Sequence, residues 1–257
     1  MSDVDGRWKK TETNGAVVEA LDRCGALRLA VRPGSEGYTN AQIDDYRGEG
    51  GPHFQWQPPA ALSLRARFSG EAGDLVGTAG FGFWNAPFGP GAGRGLRLPQ
   101  AAWFFYASDA SDLPLAPGDG KGNGWFASTI DASKPRALAW APFILPVLLL
   151  NQVAAVRRML WPIVRRDLEI SFQRLPIEMG AWHQYQLAWD RDRTIFKVDG
   201  VPCLITPSSP RGPLGFVCWV DNQRLVATPR GRVAWGTEKV TVDQWLEVVE
   251  IRLEQSS

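Results

Sequence analysis

With 28 basic and 27 acidic side chains among 257 residues, the chain carries a formal net charge of +1, which provides no overall field to gather nucleic acid or an anionic surface. A hydrophobic fraction of 44% beside 21% charged residues excludes a disordered or fibrous chain and suffices for one large core. Twelve Trp and 12 Phe against four Tyr supply rigid apolar bodies that can fill a wide core or stack on sugar rings.

The amino-terminal MSDVDGRWKKTETNG holds no hydrophobic core segment, so no secretory signal is expected there. Cys24, Cys203 and Cys218 are odd in number and unrelated in spacing, which predicts neither a disulfide framework nor a zinc site. A cytoplasmic setting is expected, with no cofactor and no metal. In AQIDDYRGE, residues 41–49, Gln42, Asp44 and Tyr46 alternate, while Asp44, Asp45 and Tyr46 form either an exposed turn or a polar, cation-binding corner.

ALSLRARFSG, residues 61–70, alternates Leu62, Leu64, Ala66 and Phe68 with polar neighbours and predicts a strand with one wet face. GTAGFGFWNAPFG, residues 77–89, is Gly-rich and aromatic, as in a strand whose backbone is closely approached by another group. Residues 101–108 (AAWFFYAS) and 124–130 (GWFASTI) predict further strands, with Gly- and Pro-rich loops at 88–99 and 109–124. Neither loop places GxGxxG between a strand and a helix, so no nucleotide cradle is predicted.

ALAWAPFILPVLLL, residues 137–150, is apolar for 14 residues and contains Pro142 and Pro146. A membrane span needs about 20 residues, so a buried or interfacial element is expected instead. Beyond it Leu149, Val153, Val156, Leu160 and Val164 fall on one helical stripe, with Asn151, Arg158 and Arg165 opposite and Arg157 and Arg166 at the flanks. A helical insertion over residues 138–166 is therefore predicted. Three roles are open to it: packing on the sheets, pairing with a second copy or closing a ligand pocket, and lying on an anionic membrane through Arg157, Arg158, Trp161, Arg165 and Arg166.

Residues 182–205 hold two alternating runs around Asp190-Arg191-Asp192-Arg193, then Asp199-Gly200 and a third run, which is a meander of antiparallel strands. Residues 213–223 and 244–254 supply two more strands, the last alternating Trp245, Val248 and Ile251 less regularly. His53 and His183 are the only histidines and lie far apart without a Ser or Cys elbow, so no catalytic triad or two-histidine centre is predicted.

The phrases W-H-x-Y-x-L-x-W (182–189), I-F-K-V-D-G (195–200) and P-L-G-F-x-x-W (213–219), with GFGFWN followed by AAWFFYAS, resemble the concanavalin A-like lectin and glucanase superfamily, in particular its laminarinase-type members. The resemblance implies an all-β, two-sheet antiparallel jelly-roll sandwich spanning residues 1–257 as a single domain, carrying the helical insertion. Retaining glucanases of that superfamily set carboxylates at alternate positions of one strand, E-x-D-x-E or E-x-D-x-x-E, so that two flank one glycosidic bond about 5 Å apart. Here Glu169 is followed by Ser171, the spacings of Glu247, Glu250 and Glu254 do not share a strand face, and Gln42-x-Asp44-x-Tyr46 lacks the acids.

The resemblance with this departure implies a carbohydrate- or glycoconjugate-binding protein without classical retaining glycosidase chemistry. Trp84, Asn85, Trp103 and Trp125 are its candidate ligand residues on a concave sheet face, with Asp44, Asp45 and Tyr46 at a corner and Asp221 and Asn222 at a rim. Two other readings stand beside it. One is an enzyme on a small or lipidic substrate with residues 143–166 as lid; the other is a membrane-surface or protein-interaction module, with a homodimer formed through the insertion.

Overall fold

The computed structural model describes residues 3–4, 7–21, 25–34, 36–47, 53–87, 97–117 and 120–255. The amino-terminal part contributes β1 (Asp3–Val4), β2 (Trp8–Thr13), β3 (Val17–Ala20), β4 (Leu27–Val31) and β5 (Asn40–Asp44). The middle adds β6 (Ala60–Phe68), β7 (Thr78–Trp84), β8 (Gln100–Ala107) and β9 (Gly124–Asp131), then the helices α1 (Pro135–Leu138), α2 (Ile144–Leu150) and α3 (Ala154–Asp167). After β10 (Ser171–Arg174) come β11 (His183–Trp189), β12 (Thr194–Val198), β13 (Val201–Thr206), β14 (Gly215–Asp221), β15 (Gln223–Ala227), β16 (Val233–Thr237) and β17 (Gln244–Gln255).

Two large antiparallel sheets carry the fold. The eight-stranded sheet runs β1-β2-β5-β14-β7-β8-β9-β10 and the seven-stranded sheet β13-β12-β11-β6-β17-β4-β3, while β15 and β16 form a separate hairpin. Strand alternation builds the core between them. Leu62, Leu64, Ala66 and Phe68 of β6 point inward at 2% exposure or less, opposite Phe81 and Phe83 of β7 and Phe216 and Cys218 of β14. At its centre Phe81 meets Tyr185 at 5.0 Å, Phe104 at 5.6 Å and Trp125 at 5.8 Å between ring centroids. Such tilted and edge contacts suit the ring quadrupoles and add to simple burial.

The predicted strands at 61–70, 77–89, 101–108, 124–130, 182–205, 213–223 and 244–254 appear as β6, β7, β8, β9, β11–β13, β14 and β17. The irregular alternation of the last has a cause. Leu246 and Val248 point into the core, the pairing with β6 shifts between Val249 and Arg252, and the count resumes at Ile251 and Leu253. Glu250, at φ 56°, is the left-handed residue of that bulge. On the outer side of β17, Glu247 is buried between Arg28 and Arg67, and both guanidinium groups lie over the Trp245 ring.

The helical insertion spans 135–167 and is broken into pieces, because residues 151–153 leave the helix between α2 and α3. The stripe counted through that break does not hold. Leu149 and Val153 are 72% and 55% exposed, whereas the buried face of α3 is Arg157, Trp161 and Val164. The insertion is moored by Asn151 Nδ2 donating to the Pro229 carbonyl at 2.9 Å, Trp140 Nε1 to Asp167 at 3.0 Å and Lys134 to Glu169 at 3.1 Å. No helix among the described residues is long and apolar enough to cross a membrane.

Because Phe81 is fully buried among three rings, Phe81→Ala should cost about 3–5 kcal/mol. Chemical denaturation should show a lowered midpoint with an unchanged slope.

Candidate functional site

The outer face of the eight-stranded sheet, turned away from the other sheet, is built by the residues that alternate with the core. On β7 these are Gly80, Gly82 and Trp84. The two glycines allow the backbone of β8 to come close: a Cβ at Gly80 would run into the Phe104 carbonyl oxygen and one at Gly82 into the Ala102 carbonyl oxygen and Trp103 Cα, while Trp219 Cη2 would lie 3.0 Å from the Gly80 position. The group that approaches this strand is thus the β8 backbone, with the Trp219 indole beside it at Gly80. Trp103 stacks on Trp84 at 4.6 Å, sits 4.8 Å from Phe105 and 5.8 Å from Trp219, and the four rings form one aromatic floor.

Above this floor is a cavity of about 270 Å³. Tyr38, Asn40, Gln42 and Tyr46 form one wall, and Leu113, Pro114 and Leu115 of the loop after β8, with Leu225 and Ala227 of β15, form the cover. Arg165 of α3 donates to the Leu115 carbonyl at 2.8 Å, which ties the helical insertion to that cover. Residues 143–166 do not themselves line the cavity among the described residues.

The cavity has apolar walls and a few polar groups left open. Both side-chain polar atoms of Asn40, the Tyr46 hydroxyl and Trp103 Nε1 are buried without a hydrogen-bond partner. Orphaned buried groups cost about 1–3 kcal/mol each, and four of the eleven such atoms among the described residues belong to residues lining this space. The remaining polar side chains are fixed. Gln42 Nε2 donates to Asp44 at 2.7 Å and Trp219 Nε1 to Thr78 Oγ1 at 3.0 Å. Asp221 accepts from Thr78 N, Thr78 Oγ1, Gln223 N and the Tyr38 hydroxyl.

Burial pushes the Asp44 and Asp221 carboxyls up to about 6, against the pull of their hydrogen bonds. Burial, then the nearby Asp44 and Asp45, holds the Tyr46 phenol well above its ordinary value, so it stays neutral. Asp44 pairs in register with Val217, four residues along β14 from Asp221, which sets the two acids about 14 Å apart by strand rise. That exceeds both the roughly 5 Å separation of retaining and the 6.5–9.5 Å of inverting glycosidases.

The predicted site residues divide. Trp84, Trp103, Tyr46 and Asp221 line the cavity. Trp125 does not share that face: it points into the inter-sheet core at 1% exposure, because on β9 it is Phe126 that faces outward. Asn85 leaves the cavity too, its amide donating to the Leu98 carbonyl and accepting from Gln100 N to bind the end of β7 to the start of β8. It borders a separate open depression of about 480 Å³ beside Phe54 and Arg97.

Asp44, Asp45 and Tyr46 are buried rather than an exposed turn. Asp45 accepts from Trp56 Nε1, Gln55 Nε2 and Phe216 N, so it is spent on joining β5 to β14 and to the 53–57 segment. Among the described residues no cluster of three or more His, Cys, Asp or Glu could hold a metal ion. Asn222 is likewise structural, bonded to Thr39 N, the Gly37 carbonyl and the Glu238 carbonyl.

Of the insertion residues, Arg157 and Trp161 turn inward and Arg165 reaches the cavity cover, while Arg158 and Arg166 remain exposed. The loop at 88–99 lies outside the described residues from 88 to 96. Sequence reasoning missed Asn40, Trp219, Phe105 and the 113–115 cover. The signal for Trp219 was in hand, since Val217, Trp219 and Asp221 alternate with the buried Phe216 and Cys218.

Two predictions follow from these groups. A carboxyl whose folded pKa is raised binds more protons folded than unfolded, so its stabilising contribution is present below about pH 4 and is lost as pH rises through about 6. Urea unfolding should therefore show wild type losing stability between pH 4 and 7 relative to Asp221→Asn, which keeps the shape of the network without the titration. Asn40→Leu removes two orphaned polar atoms and should be neutral or stabilising by about 1–2 kcal/mol in thermal unfolding, where most buried substitutions destabilise.

No family model and no curated relative matches the chain. Among solved structures it is similar to one reported for endo-acting O-glycanases of human gut microbiota that initiate mucin breakdown, with 13% identity and a TM-score of 0.51 over 99% of this chain and 94% of that one. It is also similar to the GlcNAcα1-4Gal-releasing endo-β-galactosidase of Clostridium perfringens, with 11% identity and a TM-score of 0.50 over 96% of this chain and 59% of that one. The laminarinase of Flavobacterium sp. UMI-01 shows 11% identity and a TM-score of 0.49 over 99% and 95%. Together with the sheet order, the likenesses at TM-scores of 0.51 and 0.50 identify the fold as a two-sheet antiparallel jelly-roll sandwich.

Proposed function

We propose that the protein binds a glycan or glycoconjugate end group in the cavity over Trp103, and that it acts by binding rather than by retaining glycoside hydrolysis. The observation that carries this reading is the pairing of an aromatic floor with unsatisfied hydrogen-bond groups in one small space. A pyranose ring has an apolar face of C–H groups and a rim of hydroxyls, so stacking on Trp103 and bonding to Asn40, Tyr46 and Trp103 Nε1 would use both. A volume of about 270 Å³ lies just under the roughly 300–1,000 Å³ of pockets for drug-sized ligands, which suits one or two rings rather than a long chain.

The two fold relatives with TM-scores of 0.51 and 0.50 are named for acting on glycans, which agrees with a saccharide ligand here. The spacing of Asp44 and Asp221 supports binding without the two-carboxylate chemistry of such enzymes. Asp221 and Gln42 then serve to hold Tyr38, Thr78 and Asp44 in place around the ligand.

Titrating a panel of mono- and disaccharides and octyl glycosides against tryptophan fluorescence should give at least one saturable change. Trp103→Ala should weaken that ligand tenfold to a hundredfold, about 1.5–3 kcal/mol of lost apolar contact, and Asn40→Leu should weaken it while leaving the fold intact. A panel in which nothing alters the signal, or in which Trp103→Ala binds as well as wild type, would contradict the reading.

A further inference from the structure

The helical insertion carries a dense group of exposed apolar side chains. Nine of the 16 exposed large hydrophobic side chains among the described residues lie between Leu138 and Ile163. Helix α2, ILPVLLL, has no buried residue at all. A seven-residue helix is well below the 12–15 residues at which isolated helices become even marginal, so packing of an apolar face must hold it, and the described protein supplies little. On α3 the outward face opposite Arg157, Trp161 and Val164 carries Met159 at 77% and Ile163 at 42% exposure together with Arg166.

A second element joins this surface. Asn151 and Gln152, at the end of α2, donate to the carbonyls of Pro229 and Arg230 in the β15–β16 turn, and Gly231 of that turn lies against Leu148. The hairpin presents Val233 at 76% and Trp235 at 69% exposure. Charge is one-sided across both elements. The insertion, residues 135–167, contains five basic residues and one acidic, Asp167, which pairs with Arg166 at 3.0 Å, and residues 228–236 contain two basic and no acidic residues. Arg136, Arg158, Arg166, Arg230 and Arg232 are exposed among the apolar side chains.

From this we infer that the insertion and the adjoining hairpin dock the protein on an anionic lipid bilayer, with α2 lying in the interface and the arginines among the head groups. Apolar helices flanked by cations bind such interfaces through buried area plus attraction to anionic lipid, and each arginine near the surface adds to the attraction. Trp235 is of the residue type favoured at the boundary of head groups and acyl chains. A second copy is the poorer occupant. A two-fold contact would lay this surface on itself and bring both sets of arginines together, with Asp167, already paired with Arg166, as the one acidic residue of the two segments. The inference stands independently of the saccharide reading, since Leu145 and Leu149 are not among the residues that line the cavity.

Co-sedimentation of the full chain with phosphatidylcholine vesicles, with and without one-quarter phosphatidylglycerol, tests it. Wild type should bind the anionic vesicles at least tenfold more tightly than the neutral ones. The double variant Leu145→Glu/Leu149→Glu should lose at least tenfold in binding with an unchanged melting temperature, because both side chains are more than 70% exposed. Arg158→Gln/Arg166→Gln should reduce the preference for anionic vesicles several-fold. Absence of binding to the anionic vesicles, equal binding to both kinds, or full binding by the Leu145→Glu/Leu149→Glu variant would overturn the inference. So would light scattering that shows a lipid-free dimer dissolved by that variant in a protein that does not bind vesicles, which would assign the surface to a second copy.

Discussion

The two faces of β7 are coupled through its alternation, and both the core and the cavity depend on that coupling. Ala79, Phe81 and Phe83 face the second sheet, which forces Gly80, Gly82 and Trp84 onto the other side. Since neither glycine has a Cβ, the β8 backbone lies close against the strand, and Trp103 from β8 and Trp219 from β14, paired beside Gly82 and Gly80, flank it on this face. A slip of one residue would put glycine in the core and phenylalanine in the cavity, so the packing that makes the sandwich stable also fixes where the aromatic floor lies.

Around that floor the structure departs from the rule that buried polar groups are paired. Asn40, Tyr46 and Trp103 each keep a polar atom buried without a partner, and Asp44 and Asp221 sit where burial outweighs their hydrogen bonds and raises their pKa. Elsewhere buried charge is well matched, as Glu247 is by Arg28 and Arg67. Seven further buried polar atoms among the described residues also lack a partner, Trp125 Nε1 and the Tyr185 hydroxyl of the inter-sheet core among them, so the cavity is one of several such places. The cover over the floor is itself supported from outside, through Arg165 and the Leu115 carbonyl, so the helical insertion is mechanically connected to the cavity without lining it.

Much of the fold was legible because β6, β11 and β12 alternate buried and outward-facing residues with one wetter face. The strand β5 was not, since all five of its residues are buried and three of them, Asn40, Gln42 and Asp44, are polar, so its sequence reads as a corner. The face of the aromatic residues was also hidden. In Trp103-Phe104-Phe105 and Trp125-Phe126 consecutive rings point to opposite sides, and residue type alone does not say which side is the core. Trp103 and Trp125 therefore looked equivalent, although one paves the cavity and the other fills the sandwich. The helical stripe failed for a different reason, because a periodicity counted across residues 151–153 has no meaning once the helix breaks there.

The most direct test of the cavity as a glycan site is the indole N–H spectrum of the 15N-tryptophan-labelled protein, with Trp103 assigned by Trp103→Phe. Trp103 lines the cavity and its Nε1 is buried without a partner, whereas Trp125 lies in the core between the sheets. On adding the saccharide or octyl glycoside that changes the fluorescence, the Trp103 resonance should shift to saturation while that of Trp125 stays in place. A ligand that binds with the Trp103 resonance unmoved, or that shifts only exposed indoles such as Trp235, would contradict the account.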